Sequence, residues 1–180
     1  ANLITSVVTA RLLGAEGRGP YAAAISWPTM LGGFAVAGII DAVLVEIRRR
    51  PQWTLATVAW AGAAAMACAT LITAIAYVGM PILLGPRNAQ ALPIARAALL
   101  LTHAIAAGAI WRYVFAGRGQ FLLANLAAFL PHVIHAIAIC GLALAGRLTV
   151  ATAIAGLGAG VIGVQLLLLP FILRELRGPW

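Results

Sequence analysis

The sequence has very little charge: charged residues make up 9% of its 180 residues, and only four of them are acidic. An ordinary soluble domain is about one quarter charged and less than half apolar. This chain is 63% hydrophobic and has a mean hydropathy of +1.03. Because much of a globular surface in water must be polar or charged, the composition excludes a water-soluble domain. It predicts a protein that lies in a lipid bilayer.

Lysine is absent: all twelve basic residues are arginine, and the formal net charge is +8. A nucleic-acid-binding protein needs a basic face interleaved with aromatic or polar groups. Here the arginines lie singly or in short clusters at the ends of apolar runs, which is typical of residues that flank membrane spans. We therefore expect the bilayer, and no nucleic acid, as a partner.

Cysteine and histidine are also scarce. Cys68 and Cys140 lie in separate apolar runs, form no CxxC motif and have no zinc-type spacing to a histidine. The cysteines are interpreted as buried, inert thiols, and neither a metal nor another cofactor is expected.

Long apolar segments fill the rest of the chain. A bilayer crossing takes about 20 apolar residues, and only helices and closed barrels can span without exposing unpaired backbone groups to lipid. The pattern predicts an all-α bundle, in one domain over 1–180, of about six transmembrane helices, of which the first is partial. The predicted helices cover residues 1–13, 21–47, 53–78, 94–115, 121–144 and 148–173.

The arginines predict an orientation, because short cytoplasmic loops are richer in basic residues than loops on the other side. Seven arginines lie in or near 48–52, 112–120 and the C-terminal end of the chain, against five at the other ends of the segments. The first group is therefore predicted to be cytoplasmic.

Small and polar residues in the last segment indicate how its helix packs. Thr152, Gly156 and Gly160 recur every four residues, as do Ala159 and Gly163, and such rows allow close approach of two helices in lipid. Thr152 and Gln165 are predicted to hydrogen-bond between helices.

Four motifs in order resemble bacterial oligosaccharide flippases, the Wzx-type translocases of the multidrug/oligosaccharidyl-lipid/polysaccharide superfamily. These are RLLGAEGRG (11–19) followed by GIIDAVLVEIRRRP (38–51), then AGRGQFLLANLAAFLP (116–131), then GRLTVATAIAGLGAG (146–160). On residues alone, the first motif is a glycine-rich turn between helices, in which Glu16 pairs locally with Arg11 or Arg18.

The resemblance implies one lobe, the amino-terminal one, of a two-lobed transporter in the bacterial inner membrane. Family members have a dozen or more helices, about twice what this chain supplies. The implied substrate is undecaprenyl-diphosphate-linked oligosaccharide, with polysaccharide polymerase and glycosyltransferases as further partners. The lobes would rock in alternating access, and the chain is not expected to be an enzyme.

A diphosphate substrate needs a cationic, hydrated path, since arginine binds phosphate oxygens bidentately and keeps its charge when buried. By position, the predicted substrate-binding arginines are Arg11, Arg18, Arg96, Arg112 and Arg118.

Polar residues in the fifth segment are the second set of predicted substrate ligands. Asn125, His132 and His135 lie along one side of a helix bent at Pro131. Two interpretations stand: the three residues face a water-filled cavity, or they form hydrogen bonds between helices.

Asp41 is the one acid well inside a segment, and it is either hydrated or paired near the interface, or it binds a coupling ion. Binding of a coupling ion by Asp41 fits a rival function, a cation-coupled multidrug or metabolite exporter of the same superfamily. A membrane-embedded glycosyl- or acyltransferase is a further rival, in which His132 and His135 would act as the acid–base pair.

Overall fold

The computed structural model describes residues 2–177, and all regular structure in that range is helical. The chain is an all-α bundle, as the composition and the apolar segments predict. Its helices are α1 Asn2–Leu12, α2 Gly14–Ala35, α3 Ile39–Arg49, α4 Thr54–Leu84, α5 Leu92–Ala98, α6 Leu101–Gly117, α7 Phe121–Leu144 and α8 Val150–Arg177.

Four helical segments are long and apolar enough to cross a membrane: Pro51–Leu84, Ala89–Gly117, Phe121–Leu144 and Val150–Leu176. A fifth span results if α2 and α3 count as one. The described part of the chain is thus a multi-pass membrane protein with four or five spans where the sequence predicts about six. The remaining predicted segment, 1–13, is the short helix α1.

The second predicted segment, 21–47, is broken in the structure. α2 and α3 meet at 46° across Val36 and Gly38, and the backbone of Gly38 has φ +77°, which a residue without a side chain adopts most readily. The N–H groups of Val36 and Ala37 donate to the carbonyl groups of Gly33 and Phe34, so the chain turns tightly before α3 begins.

The first motif, 11–19, is mostly helical rather than a turn. α1 and α2 are separated only near Gly14, which has φ +65°, while Gly17, Gly19 and Pro20 lie inside α2. Of the predicted glycine-rich turn, only Gly14 has the left-handed backbone of a chain reversal.

The third segment continues past its predicted end at Val78. α4 includes Pro81 in its last turn and ends before Gly85, at φ +66°, and a short 3-10 helix, Pro86–Ala91, leads into α5. α4 also presents exposed Leu71, Ile75 and Val78 on its outer side, as expected of a helix face that contacts lipid.

Close packing between α7 and α8 confirms the role of the small-residue row. A Cβ atom added to Gly160 would lie 2.7 Å from the carbonyl oxygen of Pro131, and one added to Gly156 would lie 3.2 Å from Cβ of Ala138. The second row does not pack in this way: Gly163 has no atom within 4 Å of an added Cβ.

Thr152 does not join two helices, contrary to the prediction. The N–H of Thr149 donates to Thr152 Oγ1 at 2.8 Å, and the N–H of Thr152 donates to Thr149 Oγ1 at 3.2 Å. This reciprocal arrangement satisfies free N–H groups at the start of α8, as a capping box does, so Thr152 stabilises its own helix.

Three chain segments meet at one end of the bundle. A Cβ added to Gly117 would lie 3.2 Å from Cβ of Ile47, and Arg118 forms an ion pair with Glu175. The ends of α3, α6 and α8 therefore lie together, and this arginine-rich end is the one whose sequence predicts a cytoplasmic position.

Candidate functional site

A cavity of about 320 Å³, here called the central cavity, lies between four walls of helix. One wall is the end of α2 with the start of α3, and the others are α6, α7 and α8. Along α8 it extends from Leu157 to Ile172, a rise of about 22 Å, which is most of the ~30 Å thickness of a bilayer core.

Each wall is one face of a helix. On α6 the lining residues are Ile105, Gly108, Ala109, Trp111 and Arg112, which follow the three- and four-residue spacing of a single helix side. Glycines contribute to two of the walls: Gly108 on α6, and Gly32 and Gly33 on the α2 wall. The bend after Ala35 also moves α3 away from the direction of α2.

Besides the indole of Trp111, four of the described lining residues have polar side chains. The Thr29 hydroxyl donates to the carbonyl of Ile25 at 2.9 Å, within α2. The Gln165 amide donates to the carbonyl of Ala104 at 2.6 Å and so joins α8 to α6, which confirms its predicted interhelical hydrogen bond. The other two polar residues, Arg112 and His132, are basic.

Among the residues that the structure describes, none that lines the cavity is a carboxylate, so this described lining carries a positive fixed charge. Arg112 lies five residues before the end of α6, about 8 Å from the arginine-rich end of the bundle. His132 lies about 16 Å from the start of α7, near the expected middle of the bilayer. Arg112 also lies beside Tyr113, with its Cζ atom 5.3 Å from the ring centroid.

The predicted polar row on α7 serves both of its proposed roles: His132 lines the cavity, and His135 lies within hydrogen-bond distance of a residue on another helix. His132 lines the central cavity and is exposed, whereas His135 is buried, with its Nε2 atom 3.4 Å from the hydroxyl of Tyr21 on α2. His135 also packs against Gly156 of α8. Asn125 is exposed, two turns before His132 on the same side of the helix.

Four of the five predicted arginines are not among the described lining residues of the cavity: Arg11, Arg18, Arg96 and Arg118. Arg11 and Arg18 are exposed near the α1–α2 junction; the predicted pairing with Glu16 lies outside the described residues, since that side chain is not described. Arg96 stacks over Tyr77, with Cζ 4.4 Å from the ring centroid, and its Nε donates to the Tyr77 carbonyl at 3.2 Å.

Arg118 is held in a polar cluster next to the end of α6. Its Nε lies 3.2 Å from Oε2 of Glu175, both side chains are 9% exposed, and Gln120 donates to the other carboxylate oxygen. Burial lowers the pKa of Arg118 below its ordinary value, although the charge and hydrogen bond of Glu175 oppose that change. Sequence reasoning missed this pair, although both residues follow apolar segments that end on the same predicted side.

Asp41 lies in the first turn of α3 and is exposed. A carboxylate at this position interacts favourably with the positive end of the helix dipole. Its neighbour Ile40 lines the central cavity. The suggestion that Asp41 binds a coupling ion therefore stays a prediction.

Comparison of the chain with protein-family models, with curated proteins and with solved structures finds no match in any of the three. The class that the fold defines is an all-α, multi-pass membrane bundle with a basic cavity. The likeness to flippases depends on the sequence motifs alone.

Proposed function

We propose that this chain is the helix bundle, or one lobe, of a flippase that moves undecaprenyl-diphosphate-linked oligosaccharide across a bacterial inner membrane. The observation that supports this most is the central cavity, which has Arg112 and His132 in its lining and no acid among its described lining residues. A cavity with that charge favours anions, and a diphosphate is the anionic part of the proposed substrate.

The size of the cavity restricts what it can hold. Its volume of about 320 Å³ lies at the lower end of the ~300–1,000 Å³ range of ligand pockets. The diphosphate and a neighbouring sugar suit such a space, whereas a whole oligosaccharide does not. The polyprenyl tail would stay in the bilayer, and further sugars would extend beyond the cavity opening.

Arginine is well suited to hold the diphosphate. Its planar guanidinium donates two parallel hydrogen bonds to phosphate oxygens and remains charged in a low-dielectric site. The amide of Gln165 and the hydroxyl of Thr29 supply uncharged polar groups for sugar hydroxyls in the same cavity. No covalent step is needed, because transport requires only binding and release on opposite sides.

Binding to the purified chain in lipid nanodiscs tests the proposal. The probe is a short-chain prenyl-diphosphate N-acetylglucosamine, and the variant is Arg112→Gln. Loss of a charge-assisted pair of hydrogen bonds should weaken binding about 10- to 100-fold. Arg174→Gln is the matched control, since Arg174 is exposed at the same end of the bundle. Equal affinity of Arg112→Gln and the wild type would refute the proposal.

A further inference from the structure

His132 is the one lining residue of the described cavity whose type changes charge between about pH 5 and 8. The groups that face the cavity with it are Arg112 on α6, Gln165 on α8 and Thr29 on α2, of which only Arg112 is charged. On α7 itself, His135 is buried and lies beside the hydroxyl of Tyr21 rather than in the cavity lining.

We propose that His132 is a proton-binding group that couples anion binding in the central cavity to proton uptake. This inference rests on the proposed function, since it concerns a diphosphate in the same cavity. It assigns the coupling ion as H⁺ and places it on α7 rather than at Asp41 on α3.

The coupling follows from the charges in the cavity. A bound diphosphate adds negative charge to the cavity, and a nearby opposite charge favours the protonated, positively charged form of an imidazole. A proton from bulk water then binds an imidazole nitrogen, and the doubly charged cavity holds the anion more tightly.

Thermodynamic linkage makes the effect reciprocal: if the anion favours the proton, then the proton favours the anion by the same factor. Anion affinity should therefore rise as the pH falls, within the typical coupling range of about 5- to 150-fold.

Proton uptake on binding is the direct test. The purified chain in nanodiscs is mixed at neutral pH, in weak buffer with a pH indicator, with prenyl-diphosphate N-acetylglucosamine. A second arm uses UDP-N-acetylglucosamine, which has the same diphosphate chemistry without a lipid. Both probes are diphosphates esterified at both ends, so their phosphates take up no proton near neutral pH. Tighter binding of the prenyl probe would identify a lipid-linked source of the anion.

The wild type should take up protons as it binds, and His132→Gln should bind the same probe without proton uptake and with an affinity independent of pH. His103→Gln is the matched control, because His103 lies on α6 with its Nε2 3.1 Å from the hydroxyl of Thr70. His132→Asn, checked by circular dichroism, serves if the glutamine variant does not fold.

The outcomes separate this inference from the proposed function. Binding that depends on Arg112 but takes up no proton, or proton uptake that persists in His132→Gln, overturns the inference and leaves the function standing. If neither probe binds, the inference and the proposed function are both overturned.

Discussion

The guanidinium of Arg118 and the carboxylate of Glu175 form an ion pair, with Nε 3.2 Å from Oε2, although 57 residues separate them along the chain. Gln120 donates to the same carboxylate, so the loop between α6 and α7 is tied to the last turns of α8. This contact holds together the end of the bundle where Arg112 enters the central cavity. Arg118, predicted to bind substrate, thus already has an anionic partner in the protein.

Removing one partner of this pair should destabilise the bundle. In Arg118→Ala the carboxylate of Glu175 stays buried without its counter-charge, which costs about 3 kcal/mol. The measurement is the free energy of unfolding in detergent micelles. Glu46→Gln is the matched control, because Glu46 pairs with Arg50 on an exposed surface at 3.7 Å and should lose less than about 1 kcal/mol. Equal, small losses in both variants would show that the buried pair contributes little.

Gly160 should tolerate no side chain. A Cβ atom at this position would lie 2.7 Å from the backbone oxygen of Pro131, and backbone cannot move aside as a flexible side chain can. Gly160→Ala should therefore lower stability by about 1–3 kcal/mol, by forcing α7 and α8 apart.

Gly163→Ala, three residues further along α8, provides the comparison for this variant. Nothing lies within 4 Å of its added Cβ, and alanine favours a helix over glycine by about 1 kcal/mol. It should leave stability unchanged or raise it, as measured by thermal unfolding of both variants side by side. A Gly163→Ala loss as large as that of Gly160→Ala would contradict the packing assigned to α7 and α8.

Apolar length and spacing predict the helices well, since burial in lipid depends on simple hydrophobicity over about 20 residues. α7 has the predicted bounds, and the row of Gly156 and Gly160 packs as expected. Interruptions are harder to predict: GRG within 17–19 is helical, whereas the chain breaks at Gly38, inside an apolar run. Glycine permits either outcome, and tertiary packing decides between them.

The site depends on contacts between distant residues, which explains what sequence reasoning could and could not supply. Arg112 and His132 are recognisable as polar groups in apolar segments, and both line the cavity. Nothing in one sequence shows that Glu175 engages Arg118 or that Tyr21 meets His135. These pairs depend on the order in which helices pack, which the periodicity of each helix does not contain.

The bend between α2 and α3 should depend on Gly38. Its φ of +77° lies in a region that costs other L-residues about 1–2 kcal/mol, so Gly38→Ala should lose that much stability or straighten the break. Gly62→Ala, with open space around its added Cβ, is the control. Unfolding free energy and spin-label distances between α2 and α3 report the two effects. An unchanged stability together with an unchanged distance would show that the backbone at residue 38 is not strained by a side chain.

Asp41 and His132 offer opposite expectations for the coupling ion. Asp41 is exposed in the first turn of α3, where its carboxylate interacts with the helix dipole, so Asp41→Asn should cost only about 0.3–1 kcal/mol of stability. If the proton on His132 couples transport, Asp41→Asn should keep the pH dependence of diphosphate binding and His132→Gln should lose it. The measurement is probe affinity at pH values from about 5 to 8, with and without sodium ions. A sodium-dependent affinity that vanishes in Asp41→Asn would instead favour the cation-coupled exporter.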